Sequence, residues 1–219
     1  MSRENSQQDW LRRTELFVKE ELGADKTGHD WWHIERVLRM TEYLVEREGG
    51  DLFLCRMAAL LHDVADEKLN IDKQSGLDKV KQWLEHLQVP EEQSNPIMYI
   101  ITYMPYNGGN NPSLRTLEGQ IVQDADRLDA IGAIAIARTF LYAGVKGHPI
   151  HDPGLPPRDQ MTPQQYRSEH TTAINHFYEK LLKLKNLINT QTGREIAEQR
   201  HQYMLQYLEQ FHKEWNGAG

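Results

Sequence analysis

The 219-residue sequence predicts an all-α protein, and three observations carry that expectation. Apolar residues recur at helical spacing along nearly every segment. One tract, residues 52–62, is apolar on almost all sides. The longest break in the pattern is dense in glycine and proline and does not alternate as a strand would.

Residues 31–48 place Ile34, Val37, Leu38, Leu44 and Val45 on one stripe, which makes an amphipathic helix. Residues 52–62 carry no polar face, so they read as a central helix enclosed by others. Residues 76–88 repeat the one-sided pattern with Leu77, Val80, Leu84 and Leu87, behind Ser75 as N-cap. A second core tract spans 117–143, with Ile121, Val122, Leu128, Ile131, Ile134 and Ile136; Ala130, Ala133 and Ala137 would permit close helix contact.

The Gly/Pro-rich stretch 144–161 is expected to be a surface loop, with a lid as one reading of it. Two helices follow, about 162–213, forming an αα-hairpin: Thr162-Pro163 is a cap-then-Pro start and Thr192-Gly193-Arg194-Glu195 fits a capping box. Two helices alone would struggle to enclose a core, so the expected organisation is a single domain over 1–219.

At 39% hydrophobic and 26% charged residues, the composition suits a soluble globular chain. No apolar stretch approaches the roughly 20 residues needed to cross a bilayer, and Met1–Trp10 lacks the apolar centre of a secretory signal, so the expectation is a cytoplasmic protein without a membrane partner. Cys55 is the only cysteine and sits in the apolar tract, which excludes an intrachain disulfide and a thiolate cluster. The net charge of −7, from 25 Lys+Arg against 32 Asp+Glu, disfavours a nucleic-acid polymer as partner. A small phosphorylated substrate stays compatible with it.

His-Asp dipeptides occur three times, so context must choose among them. His151-Asp152 lies in the Pro/Gly loop, where solvation explains it. His62-Asp63 closes the apolar helix, where both groups would be costly to bury without a partner. Upstream, His29 and His33 are spaced to share a helix face, although capping or surface roles would also account for them. Downstream, Asp124, Asp126 and Asp129 stand at the expected start of a helix, which negative charge favours in any case.

Taken in order, His33, His62-Asp63 and Asp126 resemble the H…HD…D signature of the HD superfamily of metal-dependent phosphohydrolases. The flanking runs His29–Val37, Leu61–Lys68 and Asp124–Ala133 are similar to its YpgQ/YedJ-like branch, over roughly residues 25–145. The resemblance implies an HD-domain helical bundle in which His33, His62, Asp63 and Asp126 bind one divalent ion. Mn²⁺ is the first expectation; Ni²⁺, Co²⁺, Fe²⁺ and Mg²⁺ suit the same mixed nitrogen and oxygen set. Superfamily members with two metals add histidines between the HD pair and the last aspartate, whereas this chain has only His86 there, which argues against the di-iron oxygenases.

The activity so implied is hydrolysis of nucleoside triphosphates to monophosphate and pyrophosphate by metal-activated water. Asp66 and Glu67 are candidates to position or deprotonate the water, and Lys68, also counted as catalytic, to meet the phosphates together with Arg36 and Arg127. Asp129 is placed to orient a ligand or contact a sugar hydroxyl, and His29 to serve the leaving oxygen. Three of these have a plainer alternative: a solvated helix end for Asp66, pairing with Asp124 for Arg127, and pairing with Glu35 or Asp30 for Arg36. A homo-oligomer is a family-level expectation. The rival functions are a phosphomonoesterase or phosphodiesterase of the same superfamily, and a non-catalytic regulator that binds metal or nucleotide.

Overall fold

Every regular element among the described residues is helical. The computed structural model describes residues 3–23, 30–66, 69–105, 114–158 and 171–218. In chain order these hold α1 (Arg3–Leu22), α2 (Trp31–Glu48), α3 (Leu52–Leu61), a 3-10 turn (Asp63–Ala65), α4 (Lys73–His86), α5 (Glu91–Tyr103), α6 (Leu117–Asp129) and α7 (Ala133–Lys146). An irregular helical stretch follows: Ala173–His176, a π-helical segment Phe177–Leu181, Leu182–Leu184 and a 3-10 turn Lys185–Leu187. The last helix is α8 (Gln191–Trp215). The chain divides inside α6, after Asp126, into two compact units.

In the first unit α3 is the centre, as its sequence requires. Cys55, Met57, Ala58, Ala59, Leu60 and Leu61 have no exposed surface, and α1, α2 and α5 pack around them. Burial, reinforced by Glu118 and Asp51, pushes the Cys55 thiol up to about 12, so it is an inert packing group. α2 buries Ile34, Val37, Leu38 and Leu44, and its length matches the expected 31–48. Asp30 and Asp51 cap α2 and α3 by accepting the backbone N–H of His33 and Leu54, satisfying donors that a helix start leaves open.

Three features of this unit depart from the sequence reading. The cap of α4 is Asp72, with Ser75 as its reciprocal partner three residues on: each side chain accepts the other's backbone N–H. α1 and α5 stand outside the elements assigned from periodicity. α1 is fastened by Phe17 stacked 4.1 Å from Trp83 and by Lys79 bonded to Glu21 at 2.7 Å; α5 contains Pro96, which obscures its helical signal, yet buries Ile97, Ile100 and Ile101.

The expected 117–143 tract is two helices, α6, which runs from the first unit into the second, and α7, with a break over residues 130–132. Gly132 causes it: its φ of +91° is open to glycine, and a Cβ there would meet the Arg200 side chain at 3.0 Å. Ala133 and Ala137 are exposed rather than used for close contact. The loop begins at Gly147, after α7, and its described part is fastened. Pro149 and Ile150 carbonyls accept Ala173 and Ile174 N–H at 3.0 Å each, and Asn175 donates to the Leu155 carbonyl at 2.9 Å. Thr162-Pro163 lies outside the described residues.

The C-terminal hairpin is present and antiparallel. Tyr178 meets His212 at 3.1 Å near one end and Lys185 pairs with Glu198 at 3.0 Å near the other, so the partner number falls along one arm as the residue number rises along the other; Phe177 stacks on Tyr207. α8 is capped by Thr190, which accepts the Gly193 N–H, and not by Thr192, which lies one residue inside the helix. No single helix among the described residues is long and apolar enough to cross a membrane.

The π-helical segment turns Glu179 inward, where it accepts two bonds of 2.8 Å from Arg158 and one of 3.1 Å from Thr171. Burial by itself would raise this carboxyl, but Arg158 and Thr171 outweigh it and hold it below its ordinary value of 4.5. A lowered folded value means that its stabilisation is full above the unfolded value and is lost as pH falls through the folded one. Glu179→Ala should therefore lower the urea-unfolding stability of the full chain by about 3 kcal/mol at neutral pH, with the difference from wild type shrinking below about pH 4.5. An unchanged midpoint would show that the pair contributes nothing.

Candidate metal centre

The centre is built where α3 runs out. His62 is the C-cap of α3 and Asp63 opens the 3-10 turn, so the helix that is most deeply enclosed delivers two polar side chains into its own buried end. His62 is 8% exposed and Asp63 6%, which demands partners for both. His33 arrives from the first turn of α2 and is 2% exposed. Asp126 arrives from α6, with a side chain one-third exposed, so the cluster has one wall toward solvent.

His62 and Asp63 face each other at 3.2 Å (Nε2 to Oδ1), and His33 Nε2 lies 3.4 Å from Asp63 Oδ2. Asp126 Oδ1 is 3.5 Å from His33 Nε2 and 3.8 Å from His62 Nε2. His62 Nδ1 lies 2.8 Å from the Ala59 carbonyl, which has no proton to give, so Nδ1 is the donor and Nε2 carries the lone pair. That Nε2 is buried and makes no hydrogen bond among the described residues.

An orphaned imidazole nitrogen aimed at carboxylate oxygens is what a cation site requires. Neighbouring ligands about 2.1 Å from an ion stand roughly 3.0 to 3.4 Å apart, close to the separations seen here. Ligand atoms of His33, His62 and Asp63 all lie within 4.8 Å of one another, so these three could hold a metal ion, and Asp126 adds a fourth donor at their margin. Burial works against charging His62, but Asp63 and Asp126, the Ala59 carbonyl and Asp66 overcome it and raise its pKa. A cation is favoured there, as a proton or as a metal.

The acids of α6 have no innocent explanation by helix polarity. α6 starts at Leu117, so Asp124, Asp126 and Asp129 occupy its C-terminal half, where the helix dipole opposes negative charge. Asp124 is fully buried, and Asp129, also buried, is paired with Arg138 at 2.6 Å. The Arg127 guanidinium donates to the Leu187 carbonyl. Arg36 is half-buried one turn beyond His33, and Glu35 takes Arg39 at 3.0 Å. Asp66 ends the turn that Asp63 begins, its N–H bonded to the Asp63 carbonyl at 3.0 Å. Glu67, Lys68 and His29 lie outside the described residues.

The other dipeptides resolve differently. Asp152 accepts the Gly154 N–H at 2.8 Å in a local turn, and His151 packs edge-on against Trp215 at 4.8 Å. His86 is exposed on α4 and meets Arg13 at 3.1 Å. Sequence reasoning missed what fixes the turn after Asp63: Asn70 and Gly76, neither of them in a recognisable motif.

His62→Ala and Asp126→Ala should each abolish calorimetric binding of Mn²⁺ while leaving the helical circular dichroism of the wild type. Retained binding in either variant would mean that the ion is held elsewhere.

The chain is similar to known proteins along nearly its whole length. Residues 31–131 match the family model of the HD domain, a span that begins with α2 and ends just beyond α6. The YpgQ protein of Bacillus subtilis (strain 168) is 38% identical over 203 residues, covering 92% of this chain and 91% of YpgQ. A crystal structure of YpgQ in complex with ADP superimposes with a TM-score of 0.76, over 95% of this chain and 96% of that one, at 38% identity. A Bacillus thuringiensis protein described as an HD-superfamily hydrolase is 50% identical, with a TM-score of 0.76 over 96% of this chain and 98% of its own.

Proposed function

The chain belongs to the HD superfamily, and from that premise we propose that it is a nucleotide pyrophosphohydrolase, splitting ribo- and deoxyribonucleoside triphosphates into monophosphate and pyrophosphate. The observation that carries the proposal is the convergence of buried His33, His62 and Asp63 with the part-exposed Asp126 around an imidazole nitrogen that has no hydrogen bond among the described residues. The ADP bound by YpgQ, a protein matched along nearly all of this chain, supports a nucleotide ligand and the treatment of residues 1–219 as one functional domain.

In this proposal His33, His62, Asp63 and Asp126 hold one divalent ion, Mn²⁺ first. Such an ion supplies Lewis-acid chemistry, polarising a phosphoryl oxygen and making water a better nucleophile at neutral pH. The protein's own groups do the rest. The Ala59 carbonyl fixes the His62 tautomer, keeping Nε2 available. Asp66, with Glu67, orients water and takes its proton; attack at the α-phosphorus then releases pyrophosphate.

Lys68 and Arg36 offset the phosphate charge, and His29 serves the leaving oxygen. Arg127 and Asp129 join them only by exchanging the partners they hold here, the Leu187 carbonyl and Arg138. The exposed placement of His86 supports a single ion. A cytoplasmic setting, where nucleotides are abundant, completes the reading.

Incubation of purified protein with Mn²⁺ and a panel of nucleoside triphosphates should yield monophosphate and pyrophosphate in equal amounts. Orthophosphate as the sole inorganic product would overturn the proposal in favour of a phosphatase. Lys68→Ala should lower kcat by about 10-fold or more with Mn²⁺ binding unchanged; wild-type kinetics would reduce that lysine to a surface cation.

A further inference from the structure

The turn that presents Asp63 and Asp66 is short, and its backbone carbonyls would be free to rotate unless something held them. Asn70 does so. Its side-chain amide donates to the carbonyls of Val64 and Asp66, each at 2.8 Å, so both amide protons are spent on one turn. The Asp66 carbonyl also accepts the Leu69 N–H at 3.0 Å, and the Asp66 N–H is bonded to Asp63. Asp66 is thereby fixed on both sides of its Cα, through its N–H and its carbonyl.

Gly76, in the first turn of α4, closes the arrangement from behind. A Cβ at this position would lie 2.6 Å from the Ala65 carbonyl oxygen and 2.9 Å from Asn70 Nδ2. Only a residue without a side chain lets α4 press against the turn. Gly76 is itself held by its N–H to the Asp72 carbonyl at 3.3 Å, within the capped start of α4. The metal-facing turn is clasped between Asn70 and a glycine, with α4 as the rigid backing.

We propose that Asn70 is a positioning residue for the metal centre, acting through the Val64 and Asp66 carbonyls to hold Asp63 and Asp66 in register with His62, and that Gly76 is the space that allows it. The inference rests on the assignment of His33, His62, Asp63 and Asp126 as metal ligands. Asn70 touches neither ion nor substrate; its effect is on where the carboxylates stand. Outer partners that orient metal ligands characteristically change metal affinity or activity by about 10- to 100-fold when removed.

Asn70→Asp tests this, because it keeps the size of the side chain and turns the two-proton donor into an acceptor facing two carbonyl oxygens. Gly76→Ala is the second variant, reaching the same turn from α4. Mn²⁺ affinity is measured by calorimetry on full-length protein shown to be folded by circular dichroism, beside nucleotide KM and kcat. The expected result is Mn²⁺ affinity weakened by about 10-fold or more in both variants, with kcat reduced and KM for nucleotide within about twofold of wild type. Wild-type Mn²⁺ affinity in either folded variant overturns the role of Asn70 and Gly76 while leaving the metal site intact. Wild-type protein that takes up no Mn²⁺ overturns the metal site and this inference together.

Discussion

A carboxylate and two imidazoles buried together at the end of an apolar helix set the terms for the rest of the first unit. Asp63, His62 and His33 are nearly inaccessible to water, and removing ionisable groups from water is unfavourable unless opposite charge or coordination replaces the lost hydration. The cluster answers this only in part. His62 Nδ1 is tied to a backbone carbonyl, while its Nε2 faces carboxylate oxygens and makes no hydrogen bond among the described residues. A divalent ion would satisfy these groups at once and so tie the chemistry of the site to local stability.

The surrounding helices can be understood as the means of bringing those donors together from distant points in the sequence. α3 supplies adjacent donors because it ends inside the core. α2 supplies His33 because Asp30 starts that helix three residues earlier and bonds the His33 N–H at 3.0 Å. α6 supplies Asp126 from its C-terminal half, and it is held along its length: Glu118 accepts the Asp51 N–H at 3.1 Å and Gln123 donates to the Met104 carbonyl at 3.0 Å. The same Asp51 caps α3, so the start of the central helix and the start of the helix bearing Asp126 share one anchoring point.

Legibility in the sequence followed physical locality. α2 and α3 were readable because one face, or every face, of the helix is apolar over a full run. The HD pair stood out because polar donors at the end of such a run conflict with burial. The 130–132 break was not readable because Ile131 and Ile136 keep the apolar pattern on both sides while Gly132 redirects the backbone against Arg200, which is 68 residues further on. The true caps of α4 and α8, Asp72 and Thr190, compete locally with Ser75 and Thr192, and only the backbone hydrogen bonds decide between them. Asn70 and Gly76 were silent for a different reason. Their importance lies in backbone carbonyls and empty space, which leave no pattern of side-chain types.

If His33, His62, Asp63 and Asp126 enclose one divalent ion, a metal-loaded crystal will reveal it. Anomalous diffraction from crystals grown with Mn²⁺ tests this most directly. One enclosed ion gives a single manganese peak within bonding distance of Nε2 of both histidines and of the carboxylates of both aspartates. A peak elsewhere, two peaks in the cluster, or no peak at full Mn²⁺ saturation would contradict it.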